Sequence, residues 1–484
     1  MSEPARTVAP TREDPLVRAL SEVVGGVAGR HGGRAASRLF RPERILMGLL
    51  LVSGLLMVLA KQHCRSHGFE APGMYYHMCY SDVPALYAGR GIAQGAFPYL
   101  DVGPWQPVEY PVLTGLAMWL TGWVTRTAGG AANALLYFDV NILATLAWLA
   151  VTVWATARTV ARRPWDAAMV ALAPGVVLAA TINWDMWAVG FTALSTLAWS
   201  RRRPALAGAL LGLGVAAKFY PLLLIGPLLL LCWRAGRMRE FWRATLTAAA
   251  VWLVVNAPFM FADFATWSPF YRMSAERGAG FGSIWLVLSD IGHPLPTGVL
   301  NLASGLLLAS ACVGIAVVAM TARRRPRLAQ LGLLVLAAFV VTNKVYSPQY
   351  VVWLIPFAVM ARPRWRDFII WQAAEVVHFA ATWLFIAGYT NPTRAMPVQG
   401  YDLAVGVHVL ATLWLAGMVV RDIYRPEGDP VRADGSDDPA GGVLDGAPDV
   451  RVWRPGLAAP DLAAPGLAAP DGQPLPVTPA HTVP

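Results

Sequence analysis

The stretch PALAGALLGLGVAAKFYPLLLIGPLLLLCWR, residues 204–234, contains two apolar runs that meet at Lys218-Phe219-Tyr220-Pro221. Each run, 204–217 and 219–233, holds about 14 residues, or about 21 Å of helix, against about 30 Å of membrane hydrocarbon. Arg201–Arg203 precede the pair and Arg234 ends it, so both outer ends lie on one side and the pair is a hairpin. Its tip then sits below the opposite membrane surface. Non-helical backbone and charge at that depth are tolerated only when buried in protein or lining a wet cavity. The stretch therefore predicts a helical membrane protein that encloses a polar site.

The remaining sequence extends this reading. The chain of 484 residues is 56% hydrophobic and only 14% charged, and apolar runs of roughly 15 to 24 residues recur from Ile45 to Val420, which excludes a soluble globule. The first 44 residues are polar and rich in arginine, unlike a cleavable signal. The net charge of +10 does not indicate nucleic acid as a partner. Its arginines cluster in short loops, 158–163, 201–203, 234–243, 323–327 and 362–366, which the positive-inside rule places in the cytoplasm.

Thirteen apolar runs would strand one terminus outside. Segment 109–124, lying between arginine-poor stretches, is read instead as an interfacial helix on the outer surface. Twelve spans remain, near 45–60, 134–157, 166–181, 185–200, 204–217, 219–233, 244–262, 298–320, 328–342, 348–361, 367–388 and 402–420. The expected fold is all-α, a polytopic bundle with juxtamembrane helices in its first outer loop. Three regions follow: a cytoplasmic arginine-rich segment 1–44, a membrane domain 45–425 with a first outer loop at 61–133, and a cytoplasmic tail 426–484. The tail carries nine acids, three arginines and an imperfect Pro/Ala repeat, and is expected to be disordered.

Two further hairpins repeat the short-span pattern. Residues 328–342 and 348–361 meet at Asn343-Lys344-Val345-Tyr346-Ser347-Pro348-Gln349-Tyr350, and 166–181 and 185–200 meet at Asn183-Trp184-Asp185. The chain has 36 arginines and three lysines, and two of the lysines, Lys218 and Lys344, sit at hairpin tips. A compact ammonium on a flexible stem suits a phosphate oxygen, so Lys218 and Lys344, with Tyr220 and Tyr346 beside them, form the expected phosphate-binding set. Lys61 ends the first span and reads as an interfacial anchor. Cys64 and Cys79 share the first outer loop, where a bridge can form.

That loop also contains Ser81-Asp82 ahead of an amphipathic run, Val83 to Ala93, ending at Gly95. Either residue can cap the helix. If Ser81 does so, Asp82 is left as a carboxylate at the mouth of a cationic cavity, where it can serve as a general base. Asp101 and Glu109 share the loop and can bind sugar hydroxyls, as can Asn183, Asp185, Gln349 and Tyr350 at the tips. Arg272, Glu276 and Arg277 precede a glycine-rich piece, Gly278 to Gly282, that is either a flap or a plain loop. Glu375 and His378 are three apart on one face of a span and are candidates as intramembrane ionisable groups. A satisfied pair in the bundle interior is the competing reading. No tight run of His, Cys or acids has metal-ligand spacing, so neither a metal site nor a cofactor is expected.

Ser81-Asp82 with a following helix, then Pro98-Tyr99-Leu100-Asp101 and Glu109-Tyr110-Pro111, resembles the C-superfamily (GT-C) of integral-membrane glycosyltransferases. The tips KFYP and NKVYSPQY resemble glycosyltransferase family 87, whose members use polyprenol-phosphate-mannose. The resemblance covers about residues 45 to 420. It implies Asp82 as the base and a polyprenyl monophosphate donor. It further implies inversion at the anomeric carbon and transfer, of mannose in particular, to an envelope lipid or glycan at the outer face. A transporter or lipid flippase is the alternative, but the link 234–243 is short for a two-halved carrier and no internal repeat is visible.

Overall fold

The structure, a computed structural model, describes residues 14–29 and 41–453 apart from positions 102, 131, 161 and 434. It is all-helical, with no strand among the described residues. Helix α1 (Pro15–Gly29) is followed by α2 (Pro42–Ser66), then by the short α3 (Gly73–Tyr76) and α4 (Asp82–Gly89). Next come α5 (Val112–Gly129), α6 (Ala134–Thr159), α7 (Ala167–Ala171), α8 (Pro174–Ala179) and α9 (Asp185–Ser200). Helix α10 (Pro204–Ala217) and α11 (Ile225–Arg234) flank a 3₁₀ turn, Tyr220–Leu224, and α12 spans Met238–Ala262. The chain continues through α13 (Phe264–Trp267), α14 (Pro269–Glu276), α15 (Ile284–Asp290) and α16 (Thr297–Thr321). It ends with α17 (Leu328–Thr342), α18 (Val351–Ala361), α19 (Trp365–Ile386) and α20 (Val398–Tyr424).

Among the described residues six helices, α2, α6, α12, α16, α20 and the stretch Trp365–Tyr389, are long and apolar enough to cross a membrane. The other expected spans coincide with shorter or broken helices. Segment 166–181 breaks into α7 and α8 because Pro174, at the first position of α8, cannot continue a helix from α7. Helix α18 is buried along its whole length, from Val351 to Ala361, and forms the centre of the bundle. Gly208 and Gly212 of α10 lie against α12 so closely that a Cβ would come within 2.0 Å of the Ala244 carbonyl and 2.4 Å of that of Ala248. This spacing of small residues lets two backbones meet. Segment 109–124 becomes α5, which packs beside α6, α10 and α12; Thr114 donates to the Ala217 carbonyl at 2.6 Å.

The arginine-rich loops gather at one end of the bundle, where residues 426–453 depart from expectation. Rather than being disordered, this part of the tail packs onto the arginines. Arg327 holds Asp429 through Nε at 2.8 Å and Nη2 at 3.0 Å and donates to the Met360 and Ala361 carbonyls. Arg234 and Arg325 converge on Asp449 at 2.6 and 2.8 Å. The Asp438 carboxylate accepts from Leu328 N. The physical reason is local: the acids of this part have buried arginine partners, which offset the ordering entropy that a Pro/Ala repeat cannot. The repeat itself, 454–474, lies outside the described residues, as do 1–13 and 30–40 of the arginine-rich N-terminal segment.

The Arg327 and Asp429 side chains are 2% and 0% exposed. Asp429→Ala leaves a buried guanidinium without its counter-charge and is expected to cost about 3–5 kcal/mol. Thermal unfolding in detergent checks this, and an unchanged transition would show that the tail contributes nothing to the bundle.

Candidate active site

At the other end of the bundle the hairpin tips meet the first loop. Cys64 and Cys79 are bridged, which ties the end of α2 to the chain entering α4. Lys61 is not an interfacial anchor: it is 1% exposed, and its ammonium donates to the Tyr80 carbonyl at 2.8 Å. Ser81 takes the capping role, with Oγ accepting from Val83 N at 3.2 Å and donating to the Thr181 carbonyl at 2.7 Å. Asp82 N donates to the Ile182 carbonyl at 2.8 Å, so the head of α4 is fastened to the 182–184 tip. Helix α4 ends at Gly89, earlier than the expected Ala93, and the following turn passes through Gly91 at φ +71°.

With Ser81 as cap, the Asp82 carboxylate faces inward. It accepts from Tyr80 Oη at 2.6 Å and from Tyr110 Oη at 3.3 Å. Burial pushes its pKa up from the usual carboxylate range, against the opposing pull of Tyr80, Lys218 and Tyr110. Burial and the Asp82 charge likewise push the Tyr80 phenol up, so it stays a hydrogen-bond donor.

Asp82 lines a cavity of about 450 Å³ together with Tyr80, Glu109, Tyr110, Asn183 and Lys218. Arg277, Ser274, Ser347, Gln349, Tyr350 and Thr382 add to its polar wall, and Phe270, Met273, Phe281, Trp383 and Ile386 give it apolar surface. Lys218 pairs with Asp185 at 2.7 Å and lies 5.1 Å from the centre of the Tyr110 ring. Asp185 also accepts from Trp353 Nε1 at 2.9 Å. Each of the three hairpins thus supplies one member of a single polar knot. Glu109 pairs with Arg90 at 2.8 Å.

Several expected site residues fall elsewhere. Lys344 does not line the cavity. Its ammonium donates to Asn301 Oδ1 at 2.5 Å and the Ala275 carbonyl at 3.3 Å. The Lys344 carbonyl accepts from Gly280 N at 2.8 Å, and this backbone pairing turns the side chain towards α16. Tyr220 is buried beneath the cavity, stacked on Trp353 with ring centres 4.7 Å apart. Tyr346 is buried against Glu375 and Thr412, each at 3.3 Å. Asp185 is a counter-ion rather than a wall residue, and Asp101 accepts from Phe97 N at 2.7 Å within its own turn. Arg272 donates to the Ala265 carbonyl, and neither it nor Glu276 reaches the cavity. His378 lies behind the wall, in contact with lining residue Thr382.

The cation opposite Lys218 is instead Arg277. Helix α14 ends at Glu276 and the chain becomes extended at Arg277, which turns it towards the cavity. The Gly278–Gly282 loop is not a free flap. Tyr346 N donates to the Phe281 carbonyl at 3.1 Å, and Gly282, at φ +75°, approaches so closely that a Cβ would sit 2.1 Å from the Tyr346 carbonyl. Sequence reasoning also missed the aromatic wall of Tyr80 and Trp383, whose ring centres are 4.6 Å apart. Only the frequency of aromatics near Asp82 hinted at it.

No curated protein matches the chain. Residues 109–342 match glycosyltransferase family 87. The matched stretch runs from Glu109 through the KFYP hairpin to the last residue of α17; Asp82 precedes it and Lys344 follows it. The match covers just under half of the chain; with an all-helical bundle and six candidate membrane spans among the described residues, it makes the chain similar to the membrane glycosyltransferases of family 87, GT-C type.

Proposed function

We propose that the chain is an inverting transferase that moves mannose from a polyprenyl-phosphate donor to an envelope lipid or glycan acceptor. The reaction takes place at the outer membrane face, with both termini cytoplasmic. The observation that carries this reading is the meeting of Asp82 with Lys218 and Arg277 in one cavity, at the end of the bundle away from the arginine-rich loops. That cavity size falls in the range of small-ligand sites.

In the proposed step the acceptor hydroxyl oxygen attacks the anomeric carbon while the bond from that carbon to the phosphate oxygen breaks. Asp82 takes the hydroxyl proton, and the polyprenyl phosphate departs with the bonding electron pair, its charge held by Lys218 and Arg277. Tyr80 and Tyr110 hold the carboxylate in place. Asn183, Gln349, Tyr350 and Glu109 are the wall groups that reach sugar hydroxyls, and Trp383 and Tyr80 offer flat faces to a sugar ring or prenyl chain. Lys344, Tyr220 and Tyr346 support the walls from behind.

Membranes containing the protein, given radiolabelled polyprenyl-phosphate-mannose, test the reading. Asp82→Asn is expected to lower transfer by about 10²–10⁴-fold. Equal transfer by both chains would remove Asp82 from the base role, and no transfer by the native chain would sink the donor class. Arg277→Ala is expected to weaken transfer by about 10–100-fold through loss of a charge-assisted contact, whereas Lys344→Met should leave it within about threefold. The reverse order of effects would restore Lys344 to the site.

A base must be deprotonated to act, and the Asp82 pKa lies above the ordinary carboxylate value. Transfer should therefore rise with pH along a limb displaced upward from that value. Tyr80→Phe removes a hydrogen bond that favours the charged form, so the limb should move to still higher pH. A limb that stays in place or falls would contradict the assignment.

Lys218 has a structural role that is separable from phosphate binding. Its side chain and that of Asp185 are 14% and 3% exposed. Lys218→Met alone should destabilise the protein by about 3–5 kcal/mol, with much of that restored in Lys218→Met/Asp185→Asn. Thermal unfolding of the four chains in a double-mutant cycle reads the coupling, and simple additivity would break the knot as described.

A further inference from the structure

Directly behind the cavity, Glu375 and His378 of α19 face His408 of α20, and all three are buried. One ligand atom from each lies within 4.8 Å of those of the other two. The outward ring nitrogens of both histidines are engaged. His408 Nε2 lies 3.2 Å from the Gly282 carbonyl, which can only accept, so this nitrogen carries the proton. His378 Nε2 lies 3.3 Å from Thr382 Oγ1, whose own hydrogen goes to the His378 carbonyl at 2.9 Å. Nε2 of His378 is therefore the donor as well.

The Nδ1 nitrogens are then bare lone pairs on two rings that stack face to face, 3.7 Å between centres and 4° from parallel, so the rings must turn out of the stack for both lone pairs to meet on one ion. His378 Nδ1 and His408 Nδ1 are buried without a hydrogen-bond partner. His408 Nδ1 stands 3.6 Å from Glu375 Oε2. That is too long for a hydrogen bond, yet close to the roughly 3.4 Å between ligand atoms on a tetrahedral ion with bonds of about 2.1 Å. The Glu375 carboxylate receives hydroxyl bonds from Tyr346 and Thr412 at 3.3 Å each, weak compensation for a buried anion. An imidazole with one nitrogen donating to a backbone carbonyl and the other presenting a lone pair is the usual posture of a metal-ligating histidine.

We propose that Glu375, His378 and His408 bind a divalent first-row transition-metal ion. Two imidazoles and a carboxylate suit zinc or ferrous iron and leave a further position for water or a hydroxyl group. The ion joins α19 to α20. Through Gly282 and Tyr346 it also fixes the loop and hairpin tip that present Phe281 and Tyr350 to the cavity. The role is structural, and no step of sugar transfer passes through the ion.

The test uses full-length protein purified in lipid nanodiscs without a histidine tag, stripped by chelator, and reloaded with Zn²⁺ or Co²⁺ alone. Elemental analysis of the purified chain should find about one ion per chain and identify it. Reloading should raise the unfolding temperature, and the Co²⁺ form should show visible ligand-field absorption. Glu375→Gln preserves size and contacts with Tyr346 and Thr412, and should lose affinity by at least about tenfold. His408→Gln should do the same. Metal at trace level in both native and reloaded protein, or affinity undiminished in both variants, would overturn the proposal.

Discussion

Helices too short to span a bilayer bring backbone ends and charges to a depth where nothing but protein can satisfy them. Three hairpins of this kind resolve the problem jointly. Asp185 begins the helix after one tip, Lys218 occupies the second, and Trp353 lies just beyond the third; the carboxylate accepts from both partners. A buried ion pair alone is a weak source of stability, since desolvation of both charges offsets their attraction. As a means of specifying position it is strong, because any misplacement strands a charge. The knot therefore fixes the relative height of three hairpins, and the rest of the cavity is built on that height.

The knot also reaches α4. Tyr110 lies beneath the Lys218 ammonium and donates to Asp82, while the backbone of Asp82 and the hydroxyl of Ser81 bond the carbonyls of Ile182 and Thr181. The carboxylate and the cation that line the cavity thus share one rigid support. Electrostatic help for a reacting group depends on charges that are already oriented when the reaction begins. Buried aromatic packing such as the Tyr87–Tyr137 stack, 4.1 Å between centres, keeps α4 in register with α6. Lys61 adds a buried ammonium on the Tyr80 carbonyl, one residue before the cap.

Much of this was legible in the sequence where a single constraint dominated. Span length against bilayer thickness pointed to the hairpins, and arginine placement pointed to loops gathered at one end of the bundle. Ser81-Asp82 before a helical run announced a cap and a spare carboxylate. What escaped depended on backbone direction over two or three residues. Lys344 sits at a tip as expected, but pairing of its carbonyl with Gly280 points the side chain away; Arg277 enters because α14 stops one residue earlier. Neither outcome has a local sequence signal. The Glu375–His378 spacing was visible, whereas its partner His408 lies on another helix and is brought in only by the packing of α19 on α20. Acids in 426–453 looked like tail composition because their arginine partners are scattered over loops far apart in sequence.

The two ends of the bundle use their cations differently, for physical reasons that follow from their chemistry. At the arginine end, planar guanidinium groups grip carboxylates and backbone carbonyls at once, as Arg327 does with Asp429, Met360 and Ala361. A fork that spends its donors in this way is a latch, with little left for a ligand. At the cavity end, the Lys218 ammonium makes one ion pair and has donor capacity left in a partly open pocket. Latching one end with arginine holds the helix pairs at fixed spacing, and that fixed spacing lets a small, incompletely satisfied cation stay aimed into the cavity at the other.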